Sequence, residues 1–134
     1  AGTFGGNGLS MAAAKAVLDI LTASPVLDNL AQRGERLKAG LDQVLTEANL
    51  PHQMTGHPNI QSFLITENPV KEVRDFSHTD EEMYVKILTH LYHLGVWAEG
   101  DSREPWFLCE SHSDEIIDET LNKFQEAVKR ALDK

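Results

Sequence analysis

From Leu27 to Ala48 the residues Leu27, Leu30, Gly34, Leu37, Leu41, Val44 and Ala48 recur at steps of three and four. That spacing lines one face of an α-helix with side chains that must leave water. A helix of this length obliges the rest of the chain to provide a matching surface. Its limits are marked locally: Ser24 is expected as N-cap with Pro25 at the first helical position, and Asn49 and Pro51 end the helix. The stripe covers about three heptads, short of a coiled coil, so it is read as packing on its own domain. Gly34 has no side chain to contribute, and its place in the stripe predicts close approach by another backbone.

The remaining segments can supply that surface. Leu9, Ala13, Ala16, Val17, Ile20 and Leu21 predict a first helix over about Leu9–Leu21. Two strands are expected over His52–Gly56 and Ile60–Thr66, broken at Gly56-His57-Pro58, the second buried on both faces for part of its length. Glu67 to Thr79 reads as polar and irregular. Thr79-Asp80-Glu81-Glu82 forms a capping box before a helix with Met83, Ile87, Leu88, Leu91 and Leu94, closed by Gly95. Val96-Trp97-Ala98 and Trp106-Phe107-Leu108-Cys109 read as short strands. Ser113 caps a last helix whose stripe is Ile117, Leu121, Phe124, Val128 and Ala131. Strands grouped between helices, with no strict βαβ alternation, predict an α+β layer with helices on one sheet face.

A chain of 134 residues fits one domain with a real core. Its net charge of −9 argues against nucleic acid or an anionic membrane as main partner, and its apolar runs are far too short to span a bilayer. One cysteine, Cys109, leaves no internal disulfide framework and fits a reducing compartment.

The opening segment, Ala1 to Met11, runs four glycines and Thr3 into an alanine-rich helix. A glycine-rich turn at a helix N-terminus suits an anion, because backbone N–H groups and the helix dipole both favour negative charge. No Lys-Ser or Lys-Thr pair makes it a nucleotide-binding P-loop, and no preceding strand makes it a dinucleotide fingerprint. The ordinary alternative is a flexible loop. The chain starts with Ala inside this motif, so it reads as cut from something longer. His90 and His93, with His112 near Cys109, have spacings seen in zinc sites, but no second close pair completes four ligands, so no metal is expected. Cys109 with His112 as base would be a nucleophile, whereas a cysteine in an apolar run is usually an inert small hydrophobe. In the Asp101-Ser102-Arg103-Glu104 loop, Arg103 can grip a carboxylate with its planar fork or form a solvated Arg–Glu surface pair.

Gly2-Thr3-Phe4-Gly5-Gly6-Asn7 and Ser10-Met11-Ala12-Ala13 resemble the Gly-Thr-Phe-x-Gly-Asn-Pro-x-x-Met-Ala-Ala segment of class III pyridoxal-phosphate aminotransferases. Within that class the resemblance is to glutamate-1-semialdehyde aminomutase and its aminotransferase relatives. Phe63-Leu64-Ile65-Thr66-Glu67-Asn68-Pro69-Val70 resembles the small-domain strand and the Thr-x-x-Pro-Val after it. Gly95-Val96-Trp97 through Glu104, Phe107 and His112-Ser113 resembles the Gly-Val-Tyr…Glu-x-x-Phe…His-Thr block. Three departures stand out. Gly8 replaces a usual proline, Asn59-Ile60-Gln61 replaces a more apolar Ser-Met-Phe type segment, and Gly100-Asp101 replaces a common Pro-Ser.

The resemblance implies a fold-type I architecture, with residues 1–24 ending the large domain and 25–134 forming the C-terminal small domain, a short, mostly antiparallel sheet with helices on one face. It implies pyridoxal 5'-phosphate as cofactor, amino or keto acids as substrates, and a homodimer in the cytoplasm, or in a stroma or matrix if a transit peptide exists upstream. Gly2 and Thr3 then match the pair that reaches the cofactor phosphate of the partner subunit. Glu104 matches a glutamate near the substrate entrance, with Arg103 beside it. Schiff-base chemistry needs a lysine in the cofactor pocket. None of this chain's lysines sits in a matching motif, so no catalytic residue is assigned here and the chain alone is not expected to turn over substrate. The alternative is a free-standing, non-catalytic small domain acting as a scaffold.

Overall fold

The computed structural model describes residues 2–133; Ala1 of the opening segment and Lys134 at the end of the expected small domain lie outside it. The elements are α1 (Gly8–Ala23), α2 (Val26–Glu47), β1 (His52–His57), β2 (Ile60–Ile65), a 3-10 helix (Val73–His78), α3 (Glu81–His93), β3 (Trp106–Phe107) and α4 (Asp114–Leu132). The sheet runs β1-β2-β3 and is antiparallel throughout. It is an α+β domain, as the segment pattern predicts.

Several boundaries differ from the sequence reading, each for a local reason. Ser24 does not cap α2. Its N–H and hydroxyl both donate to the Ile20 carbonyl, so it closes α1, and Pro25 opens α2 without a side-chain cap. The two helix axes turn by 75° there. Asp80, not Thr79, accepts the Met83 N–H at the start of α3, while the Thr79 hydroxyl donates back to Phe76. The irregular 67–79 segment contains a 3-10 helix whose start is fixed by the Asp75 carboxylate, which accepts the N–H groups of Lys71 and Glu72. Val96-Trp97-Ala98 is not a strand: the Val96 N–H donates to Leu91, Trp97 is 91 % exposed, and the Ala98 carbonyl accepts the Tyr92 hydroxyl instead of a strand neighbour. Leu108 and Cys109 fall outside β3, although the Leu108 N–H still reaches the Asn59 carbonyl. Gly95 (φ 86°) and the Ser113 cap of α4 stand where the sequence puts them.

Two-residue geometry at Pro58-Asn59 sets the hairpin register, pairing His57 with Ile60 and His52 with Ile65. Alternation along β2 then sends Phe63 and Ile65 into the helical core, while Ser62 and Leu64 are covered by the 70–76 and 102–105 segments. The strand is buried on both faces, as expected. Phe63 is the hub, with ring centroids of Tyr84, Phe124 and Trp106 at 4.9, 5.3 and 5.8 Å. Leu37, Leu41 and Leu45 of α2 close the core against Ile87, Leu88 and Leu91 of α3 and Ile117 and Val128 of α4. Each such side chain stabilises the fold by about 1.5–3 kcal/mol through burial. Leu27, at the N-terminal end of the α2 stripe, remains exposed, because the core starts at the level of Gly34.

At Gly34 the predicted backbone approach is present. A Cβ there would sit 2.5 Å from the Pro58 carbonyl oxygen. Gln61, fully buried, donates its Nε2 hydrogens to the carbonyls of Gly34 (3.0 Å) and Pro58 (2.8 Å). By contrast α1 has no buried residue, and Leu9, Val17, Leu18 and Ile20 lie open to solvent. Among the described residues no single helix is long and apolar enough to cross a membrane.

Gly34→Ala should therefore destabilise the protein by about 1–3 kcal/mol, since a methyl group would meet backbone rather than a movable side chain; urea unfolding midpoints measure it. Tyr84 provides a second check. Burial pushes its phenol up to about 12 from 10.0. The folded state then holds that proton more tightly than the unfolded chain, so the contribution is complete below pH 10, declines above it and is lost as pH rises through about 12. Tyr84→Phe should remove that alkaline dependence and cost roughly 1–3 kcal/mol at neutral pH, because the Glu99 carbonyl and the Trp106 N–H lose their partner.

Candidate functional site

Two places collect the chemistry singled out in the sequence. The first is the turn ahead of α1. Gly5 N–H bonds to the Gly2 carbonyl and Asn7 N–H to the Phe4 carbonyl, each at 3.0 Å, coiling residues 2–7 into successive tight turns. Asn7 caps α1: its side-chain oxygen accepts the N–H groups of Leu9 (3.0 Å) and Ser10 (3.2 Å). Two of the helix's free donors are thus already used by its own cap, which the sequence reading of an open anion turn did not anticipate. Left over are the Thr3 hydroxyl and the N–H groups of Thr3, Phe4, Gly6 and Gly8, for which no partner is found among the described residues. All of this segment is exposed, and the first turn of α1 holds no acidic residue to repel an anion. The donors are uncharged N–H and hydroxyl groups at a helix entrance, which suits a phosphate group.

The second place is the loop from Ala98 to Pro105. Having no strand partner, it is held by side chains from one face of α3. The Tyr92 hydroxyl donates to Ala98 (2.7 Å) and the Tyr84 hydroxyl to Glu99 (2.7 Å). The Glu81 carboxylate accepts both the N–H and the hydroxyl of Ser102. Ser102 is buried, and its carbonyl accepts the Ser62 hydroxyl of β2 (3.3 Å). Within the loop Arg103 turns back on Asp101. Its Nε donates to one carboxylate oxygen at 2.7 Å and an outer nitrogen donates to the other. This two-point geometry is the strong form of an Arg–carboxylate contact. The surface pair expected with Glu104 is therefore made with Asp101 instead. A substrate carboxylate at Arg103 would have to displace Asp101. Glu104 lies exposed beside it, its N–H bonded to the Asp101 carbonyl. Arg103 also borders an open groove on the sheet face opposite the helices, with Thr55, Ile60, Ser62 and Val70.

Thr3 and the Arg103-Glu104 loop share no hydrogen bond or ion pair among the described residues, so the two places remain separate here. His90 and His93 occupy the last turn of α3, where their positive forms suit the helix dipole. Among the described residues no three His, Cys, Asp or Glu side chains converge on a common point. Cys109 is exposed, not packed as a small hydrophobe, because β3 ends at Phe107. Its N–H donates to His112 Nδ1 at 2.9 Å, so that nitrogen is taken up by backbone and does not act as base toward the thiol. Glu81, Tyr84 and Tyr92 were missed as loop anchors; their shared helix face was the available signal.

Titration of Asp101 tests its clamp with Arg103. The hydrogen bonds from Arg103 hold its carboxyl down to about 2, from an ordinary 3.8. The clamp is therefore complete above pH 3.8 and is lost as pH falls through about 2. Carboxyl carbon shifts followed by NMR should show that midpoint, and Arg103→Ala should return it toward 3.8.

A family model described as Aminotransferase class-III matches residues 1–128. The chain is 35% identical over 133 residues to glutamate-1-semialdehyde 2,1-aminomutase of Thermus thermophilus, covering 98% of this chain and 30% of that protein. It is 30% identical over 129 residues to the enzyme of the same name from Aquifex aeolicus, covering 96% and 30%. The chain thus spans 30% of the length of these relatives. Among solved structures it superposes on the PLP internal aldimine form of the Sphingopyxis sp. MTA144 FumI protein with TM-score 0.76, 24% identity, and coverage of 91% of this chain and 27% of that one. It also superposes on a transaminase with PLP bound, with TM-score 0.75, 22% identity, and coverage of 98% and 29%.

Proposed function

The chain belongs to the class III aminotransferase family, and from that premise we propose that it serves as the C-terminal part of a pyridoxal-phosphate-dependent aminotransferase or aminomutase acting on amino and keto acids. The observation that carries this reading is the family match running through residues 1–128, from the opening turn to α4. Relatives named as glutamate-1-semialdehyde aminomutases support the same subgroup. On this reading residues 1–24 close the large domain and residues 25–134 form the small domain. The lack of any buried residue in α1 and the 75° turn after it support that division.

In the assembled enzyme Gly2 and Thr3 would hold the cofactor phosphate of the partner subunit. Thr3 would donate through its hydroxyl and N–H, and the tight turns behind it would keep both donors facing outward. Pyridoxal phosphate, when bound, supplies the electron sink that amino-group transfer requires. The reactive lysine, the rest of the large domain and the second subunit of a homodimer would come from outside this chain. Glu104 would stand at the substrate entrance, on a loop whose one arginine is already neutralised by Asp101. A protein of this kind would work in the cytoplasm or an equivalent reducing compartment, consistent with its single exposed cysteine.

The test is cofactor binding by the full-length protein, followed by visible absorbance, together with amino transfer from candidate donors. A protein that neither binds pyridoxal phosphate nor moves an amino group would favour the scaffold alternative. Within the same experiment Thr3→Ala should weaken cofactor affinity by about 1.5–3 kcal/mol, the worth of a hydrogen bond to a charged group. An unchanged dissociation constant would remove Thr3 from the phosphate site.

A further inference from the structure

We infer that Glu81 is a positioning residue, which fixes the 98–105 loop from the first turn of α3 and thereby sets where Glu104 stands; its effect on substrate rests on the reading above that this loop borders the substrate entrance. The loop lacks what usually orders such a segment. It has no strand neighbour along Val96–Ala98, and β3 is only two residues long. Its fixed points are instead side chains of α3 at positions 81, 84 and 92, which share one helix face. The tyrosines hold its beginning, at Ala98 and Glu99. Of the three α3 side chains, Glu81 is the one that reaches the half carrying Arg103 and Glu104.

The geometry at Ser102 explains why this contact governs the outcome. Ser102 is 3 % exposed, and three of its polar groups are engaged: N–H and hydroxyl by Glu81, carbonyl by Ser62. Without the Glu81 carboxylate, the N–H and hydroxyl of a buried residue would lose their only partner among the described residues. The loop would then have to open to hydrate them. Asp101 and Glu104 flank Ser102 in one hydrogen-bonded turn, the Glu104 N–H on the Asp101 carbonyl, so movement at Ser102 carries Glu104 with it. The Asp101–Arg103 clamp is internal to the loop and cannot anchor it to the body of the domain.

The experiment compares Glu81→Ala, Glu81→Gln and Ser102→Ala in the full-length protein loaded with pyridoxal phosphate. Backbone amide exchange over residues 99–104 should accelerate about tenfold in Glu81→Ala, while the α4 core stays protected. Glu81→Gln keeps an acceptor oxygen and should restore most of the protection. Ser102→Ala loses only the hydroxyl bond and should show a smaller acceleration in the same segment; it also decides the matter if Glu81→Ala does not fold. KM for the amino substrate should rise about fivefold in Glu81→Ala with kcat within about twofold, and the rise should be non-additive with Glu104→Ala. Unchanged exchange over 99–104, or an additive effect with Glu104→Ala, would overturn the inference. If the wild-type protein binds no pyridoxal phosphate, the functional reading fails instead, and amide exchange, which needs no cofactor, settles the role of Glu81 by itself.

Discussion

The architecture depends on how closely α2 lies over the turn between β1 and β2. Gly34 lets the Pro58 carbonyl approach to a distance that any side chain would block. The Gln61 amide then bridges the two carbonyls brought together, one from the helix and one from the turn. Gln61 is also the cross-strand partner of Trp106, so the same residue fixes where β3 meets the sheet. Trp106 packs edge-on against Phe63 and Phe124 and donates its N–H to Tyr84. One buried amide therefore links the long helix, the hairpin and the last strand. The arrangement has a cost: among the described residues the side-chain oxygens of Gln61 and Asn59 are buried without a partner. Such an oxygen forfeits about 1–3 kcal/mol, offset here by two hydrogen bonds and the apolar contacts they align.

From that junction outward, backbone regularity gives way to side-chain support. The sheet narrows to two residues at β3, and the chain before it follows α3 at a distance set by two tyrosines and a glutamate. Buried hydroxyls and a carboxylate replace the ladder of a fourth strand. A loop held this way keeps a defined shape while Arg103 and Glu104 stay exposed. Charge is arranged on the same plan. Arg103 is satisfied within its own turn, leaving Glu104 as the outward group.

The helices were legible because their stripes are long and bounded by residues such as Ser113 and Gly95, whose roles are local; at α3 the cap falls on Asp80 instead of Thr79. The two strands of the hairpin were legible as well, but β1 runs on through Gly56 and His57, so the turn falls at Pro58-Asn59 and not over Gly56-His57-Pro58. Gly34 could be read as a point of backbone contact because a missing side chain in an apolar stripe leaves space that only a close neighbour can fill. What could not be read is which of several nearby partners each polar group takes. Val96–Ala98 has strand composition, yet Tyr92, six residues before Ala98, captures the carbonyl that a neighbouring strand would need. Ser24 has the chemistry of an N-cap, but its hydroxyl and N–H both go to the Ile20 carbonyl one turn back, so it ends α1. Asp101 pairs with Arg103 because two residues of turn bring fork to fork, whereas Glu104 makes no hydrogen bond or ion pair with that fork among the described residues. For the phosphate turn, the glycines announced an exposed backbone, but the sequence did not show that Asn7 would take two of the donors for itself.

The placement of the aromatic residues in the 96–107 stretch has an optical consequence. The chain has two tryptophans, and both lie here. Trp106 is sealed in the core with its indole N–H on a phenol, whereas Trp97 is 91 % exposed and stacked on Tyr92 at 5.3 Å. Ultraviolet emission from this domain therefore has a blue, shielded component and a red, quencher-accessible one, separated by nine residues. The first reports whether Phe63 and its neighbours remain packed. The second reports what comes to rest against the loop.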